Sequence, residues 1–127
     1  MSELTCLELG VLWWIVHVVV QASAANLALP RSWLVGARDV PVEPKGVMAG
    51  RAKRALANYL ESFPVFAALD LAFIALHGSA GVWPWVWIVA RVVYLPLYLF
   101  DVAYVRSLCW GVSALAIVMM LIRLTVS

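Results

Sequence analysis

Charge is what this sequence has least of. Asp, Glu, Lys and Arg make up 13% of its 127 residues, against about 25% in an ordinary soluble domain. Hydrophobic residues make up 65%, and a water-soluble fold of this length has too little interior to hide them. The chain therefore reads as an integral membrane protein. With a net charge of only +2 and no basic stripe interleaved with aromatics, nothing points to nucleic acid as a partner. Cysteine is scarce too: Cys6 and Cys109 show no metal-ligand spacing and fall on different expected helices, so they read as ordinary membrane-helix residues and no metal site is expected. A basic leader is also missing. Glu3 and Glu8 stand where a signal peptide would be cationic, and the first apolar run is expected to remain as a helix. There is no repeat or low-complexity tract.

What is present is a series of long apolar runs. The first extends from about Leu4 to Leu29, more than the roughly 20 residues that span a bilayer. It carries His17, Gln21 and Asn26, expected to make interhelical hydrogen bonds or, for Gln21 or Asn26, to face a ligand cleft. Pro30 to Val47 is rich in proline and mixed charge and reads as a loop. A second helix is expected from about Met48 to His77, kinked at Pro64. After the turn His77–Gly81 a third runs from about Trp83 to Phe100, opening on Trp83, Pro84, Trp85 and Trp87, a tryptophan cluster typical of the membrane–water boundary. A fourth runs from about Ala103 to Val126. The expected fold class is all-α, a single transmembrane domain of four helices over residues 1–127 with almost nothing outside the bilayer.

Gly50 to Pro64, GRAKRALANYLESFP, carries strongly polar groups straight into hydrocarbon. Arg54, Asn58 and Glu61 are spaced i, i+4, i+7 and stack on one helix face, and Arg51 extends the stripe. Arg91, Tyr94 and Tyr98 form a second stripe on helix three, and Tyr104, Arg106 and Ser107 open helix four. Lys and Arg crowd the first connection (Arg31, Arg38, Lys45, Arg51, Lys53, Arg54) and are absent from the second. The positive-inside rule then puts the first and third connections in the cytoplasm and both termini outside it. On that side the polar stripe and the Asp101–Arg106 corner can meet.

Ionisable groups in a membrane helix are costly and mark candidate sites. Arg54 could pair with Glu61, Arg91 with Asp70, and Arg51 could reach lipid phosphates. The cations nevertheless outnumber the carboxylates on that side, which suits a small anionic ligand held by planar guanidinium forks. Asp70 and His17 stand as isolated ionisable groups with no paired broken helices around them, which gives a transporter little support.

The motifs resemble those of the MAPEG family (membrane-associated proteins in eicosanoid and glutathione metabolism), with the short bacterial-type members most similar. RAKRALANYLE matches the family's Arg–x3–Asn–x2–Glu pattern at Arg54, Asn58 and Glu61, with Pro64 following. RVVYLPLY matches Arg–x2–Tyr–x3–Tyr at Arg91, Tyr94 and Tyr98, and Arg106 with Ser107 matches the pair opening helix four. The resemblance implies a MAPEG-like four-helix homotrimer in a bacterial inner membrane, in contact with lipid. It also implies glutathione as thiol co-substrate in an intersubunit cleft facing the cytoplasm, held by Arg54, Asn58, Glu61, Arg91, Tyr94 and Tyr98. Arg106 would favour the thiolate and Ser107 would donate to the sulfur. A lipophilic substrate would enter from the bilayer past residues such as Val93, Leu97 or Trp110. The expected activity is a glutathione transferase or a peroxidase toward lipid hydroperoxides. The alternative is a non-catalytic protein of the same fold, a lipid-binding trimer or an accessory subunit of a membrane complex.

Overall fold

The computed structural model describes residues 2–126. They form α1 (Glu3–Ala28), α2 (Arg31–Val35), α3 (Met48–Ala75), α4 (Trp83–Leu99) and α5 (Ala103–Val126), with no strand among the described residues. The start of α1 is fixed by Ser2, whose hydroxyl accepts from the Thr5 amide at 3.3 Å. It ends one residue before the expected limit because Pro30 holds Leu29 in extended backbone. The stretch expected as loop contains α2, a short helix that opens after Pro30 and closes at Gly36.

Both α3 and α4 end in the same way. After α3, the His77 amide donates to the Ile74 carbonyl (3.2 Å) and the Gly78 amide to that of Phe73 (2.9 Å). After α4, Asp101 donates to Tyr98 (3.2 Å) and Val102 to Leu97 (2.9 Å). These are Schellman turns, and each needs one left-handed residue. His77 (φ 54°) and Asp101 (φ 56°) take that position in place of glycine. Pro64 lies inside α3 and Pro96 inside α4, and both helices continue through them.

The closest packing is of α1 on α3 and of α4 on α5, and α3 joins the two pairs. At one end, Glu3 Oε1 accepts from the Ala80 amide (2.9 Å) and Arg123 reaches the Ser79 carbonyl (3.5 Å). At the other, Arg51 Nη1 donates to the Leu99 carbonyl (3.0 Å). The four long helices thus alternate in direction, and the start of α3 meets the α4–α5 corner.

The core is aromatic. Tyr59, Phe66, Phe73 and Trp87 are buried, and the Phe66 and Trp87 rings stack at 4.1 Å with 6° between planes. Trp87 therefore belongs to the interior rather than to an interfacial belt, while Trp83 and Trp85 remain half-buried. Gly10 lets α1 approach α3 closely: a Cβ there would lie 2.8 Å from Phe63 Cε1. At the same place the Tyr59 hydroxyl donates to the Gly10 carbonyl. His17, expected to hydrogen-bond across helices, instead stacks on Tyr59 at 4.8 Å, and both its ring nitrogens lack hydrogen-bond partners among the described residues.

Apolar side chains also cover the outside. Leu12, Val19, Leu121 and Ile122 are all exposed, and α1 and α5 are long and apolar enough to cross a membrane. The third apolar helix, α4, is shorter.

Candidate functional site

Where the third turn of α3, the end of α4 and the start of α5 converge, Asn58, Tyr94, Tyr98, Arg106, Ser107 and Trp110 line a cleft of about 270 Å³. Five of these six come from the two polar stripes and the opening of helix four that the sequence marks out. Asn58 sits on the α3 side with its Oδ1 buried and unpartnered, and an unsatisfied buried acceptor calls for a donor from elsewhere. Trp110 supplies an apolar wall one turn after Arg106 on α5.

From the cleft a column of tyrosine rings and two arginines runs inward. The Arg106 guanidinium carbon is 4.7 Å from the Tyr98 ring centre, and the Tyr98 ring is 5.7 Å from that of Tyr94. Arg91 lies 4.6 Å from the Tyr94 centroid and 5.5 Å from that of Tyr59. Each spacing suits cation–π or ring–ring attraction. The column explains where the second stripe goes: Tyr94 and Tyr98 reach the cleft, while Arg91, one turn deeper, is enclosed by the core at 1% exposure. Its three guanidinium nitrogens have no hydrogen-bond partner among the described residues.

Asp101 organises the mouth. Its Oδ1 lies 3.6 Å from Arg106 Nη1 and its Oδ2 lies 3.8 Å from Arg51 Nη2. These are the ion pairs among the described residues; the Arg54–Glu61 and Arg91–Asp70 pairs open to the sequence do not form. The α4 Schellman turn holds the Asp101 backbone between the two arginines, and the sequence offered no signal for that shared role beyond the position of Asp101 in a short link. Tyr59, also unmarked in the sequence, lies beside Asn58 but faces the core.

The first stripe is split by the packing. Arg54 is exposed and lines a separate depression of about 320 Å³ with Glu43, Pro44 and Gly50. Glu61 is exposed as well. On the other side of the α4–α5 pair, Val93, Leu108, Cys109 and Val112 help line an apolar groove of about 450 Å³. Val93 thus serves a different concavity from Trp110.

An all-helical chain with two helices able to cross a bilayer, an apolar exterior and a cationic, tyrosine-lined cleft at one end of its packed helices is a membrane protein with a polar site. The model of the MAPEG family matches residues 5–126, and the chain belongs to that family. No curated protein and no solved structure matches it.

Proposed function

We propose that this protein is a glutathione-dependent membrane enzyme, a transferase or a peroxidase acting on lipophilic electrophiles or lipid hydroperoxides. The observation that carries the proposal is the joining of Arg106, Ser107, Tyr94, Tyr98 and the unpartnered Asn58 Oδ1 around one cleft. Membership of a family broadly tied to glutathione supports the choice of thiol.

Bound glutathione would supply a nucleophilic sulfur. The chain's own residues would hold it and set its charge. Asn58 Oδ1 would accept from an amide or ammonium of the tripeptide, and the Tyr94 and Tyr98 hydroxyls would donate to its carboxylates. The Arg106 guanidinium, at the cleft and only partly buried, would stabilise the thiolate over the thiol, with Ser107 donating a further hydrogen bond. Ligand pockets run about 300–1,000 Å³, and the cleft of about 270 Å³ falls short of that range. A neighbouring copy is therefore assigned the missing wall, which accords with a homotrimer of four-helix subunits. Arg54 and Glu61, exposed on the outer face of α3, would close on the ligand from that wall. Arg91 takes no direct contact in this scheme. The excess of Lys and Arg at the cleft end favours a cytoplasmic opening with both termini on the far side, in a bacterial inner membrane.

The pairing of Arg106 with Asp101 at 3.6 Å favours a second reading, a non-catalytic trimer that binds lipid or serves as an accessory subunit, in which the corner is an interhelical lock. Ultraviolet difference absorbance on adding glutathione to the detergent-purified protein separates the two. The enzyme gives a saturable thiolate signal that Arg106→Ala abolishes with assembly intact. No signal from assembled wild-type protein, or loss of assembly in Arg106→Ala, rejects the enzyme in favour of the lock.

A further inference from the structure

The connection between α1 and α3 folds into a basket that the glutathione proposal does not use. A cavity of about 230 Å³ opens there, with Gln21 of α1, Trp33 and Leu34 of α2, Arg38 of the loop and Lys53 of α3 on its walls. Arg38 is held in place from two directions. Its Nε and Nη2 donate to the Leu34 carbonyl at 3.1 and 2.9 Å, and its guanidinium carbon lies 5.5 Å from the Trp33 ring centre. Trp33 is itself anchored by donating its indole N–H to the Val40 carbonyl, and the loop is tied to α1 by the Lys45 amide on the Ala28 carbonyl at 2.9 Å.

Arg38 also adopts a left-handed backbone at φ 62°. A non-glycine residue persists in that strained region only when its surroundings fix it there. Neither Arg38 nor Lys53 has a carboxylate within ion-pair distance among the described residues, whose two ion pairs both involve Asp101. Two cations, one of them held in place, thus share one concavity whose lining has no carboxylate.

The flanks of the basket say which anion fits. Ala25, Leu29, Leu34 and Val42 line the same cavity, so its cations sit against apolar side chains at the end of α1, a helix long and apolar enough to cross a membrane. Cations at the polar edge of a bilayer, next to apolar surface and a tryptophan, suit a molecule with an anionic head and hydrocarbon tails. We infer that the α1–α3 basket is a binding site for the phosphate headgroup of an anionic phospholipid, with Arg38 and Lys53 as its cations and the apolar wall of Ala25, Leu29 and Leu34 beside its acyl chains. The site is independent of the cleft at Arg106.

Native mass spectrometry of the full chain, released from nanodiscs of equal phosphatidylglycerol and phosphatidylcholine, tests this. Wild-type protein is expected to retain phosphatidylglycerol selectively. At the energies typical of a basic residue near an anionic membrane surface, Arg38→Gln with Lys53→Gln lowers that preference by about thirtyfold, while Arg31→Gln, off the cavity wall, leaves it in place. Lys53→Gln alone lowers it by about fivefold and touches none of the hydrogen bonds that hold the loop, so the test stands even where the Arg38 variant misfolds. Equal retention of both lipids by wild-type protein overturns the inference, as does an equal loss in Arg31→Gln. Displacement of the lipid by millimolar inorganic phosphate would reassign the basket to a free anion, and displacement by glutathione would reassign it to the tripeptide; either overturns the lipid site.

Discussion

Asp101→Asn removes the one carboxylate that both Arg51 and Arg106 reach, and little else. Asparagine is among the residue types that best tolerate a left-handed backbone, so the Schellman turn at φ 56° is kept. The Asp101 side chain is 60% exposed and each arginine 27%. Pairs this exposed are worth about 0.2–1 kcal/mol each. Arg51 also retains its bond to the Leu99 carbonyl at 3.0 Å. The stability cost is therefore at most about 2 kcal/mol, a shift of several degrees in melting temperature.

The effect on ligand binding has the opposite sign. An anion in the cleft competes with Asp101 for Arg106, so removing the competitor strengthens anion binding by between about 1.4-fold and about fivefold, the same energy read as a ratio. Isothermal titration of glutathione into wild-type and Asp101→Asn protein, with melting curves on both, measures the two effects together. Tighter binding with a slightly lower melting temperature is expected. Weaker binding would show that Asp101 orients Arg106 for the ligand rather than competing for it. Collapse of the assembly would make the corner a structural lock and remove the cleft from the proposal.

Gly10→Ala places a methyl 2.8 Å from Phe63 Cε1 and is expected to cost about 1–3 kcal/mol by overpacking; thermal unfolding reads it, and Phe63→Leu in the same chain is expected to restore most of the loss. If Gly10→Ala alone is silent, α1 and α3 are not in the close contact described. Arg91→Met replaces a buried cation that makes no hydrogen bond among the described residues by an apolar chain, and the relief of an unpaired buried charge offsets the loss of its two cation–π contacts. The melting temperature is expected to hold or rise, and a large fall would mean that a group outside the chain neutralises Arg91.

The long helices were legible because apolar runs bounded by proline and glycine are a one-dimensional signal. Their limits shifted by a residue or two where a Schellman turn replaced the last helical turn, at His77 and Asp101. The short helix α2 was not legible, since five residues after a proline carry no periodicity to read. The polar stripes were legible as faces, but their fates were not. Arg54, Asn58 and Glu61 share one face of α3, and only the packing of α4 and α5 decides that Asn58 borders the cleft while the other two remain outside it. Likewise Arg91 and Tyr94 are one turn apart, and that turn separates a closed interior from an open cleft. Trp87 looked interfacial by its company and is central by its stacking on Phe66.

The column from Tyr59 through Arg91, Tyr94 and Tyr98 to Arg106 joins a place that mobile ions reach to one they do not. Dissolved ions screen an exposed charge beyond about 8 Å at physiological ionic strength, and they act on Arg106 and Asp101 at the mouth. Arg91, sealed at 1% exposure, lies beyond their access. Along one short run of side chains the protein therefore grades from a charge that its medium can dim to one whose field is fixed by the fold alone.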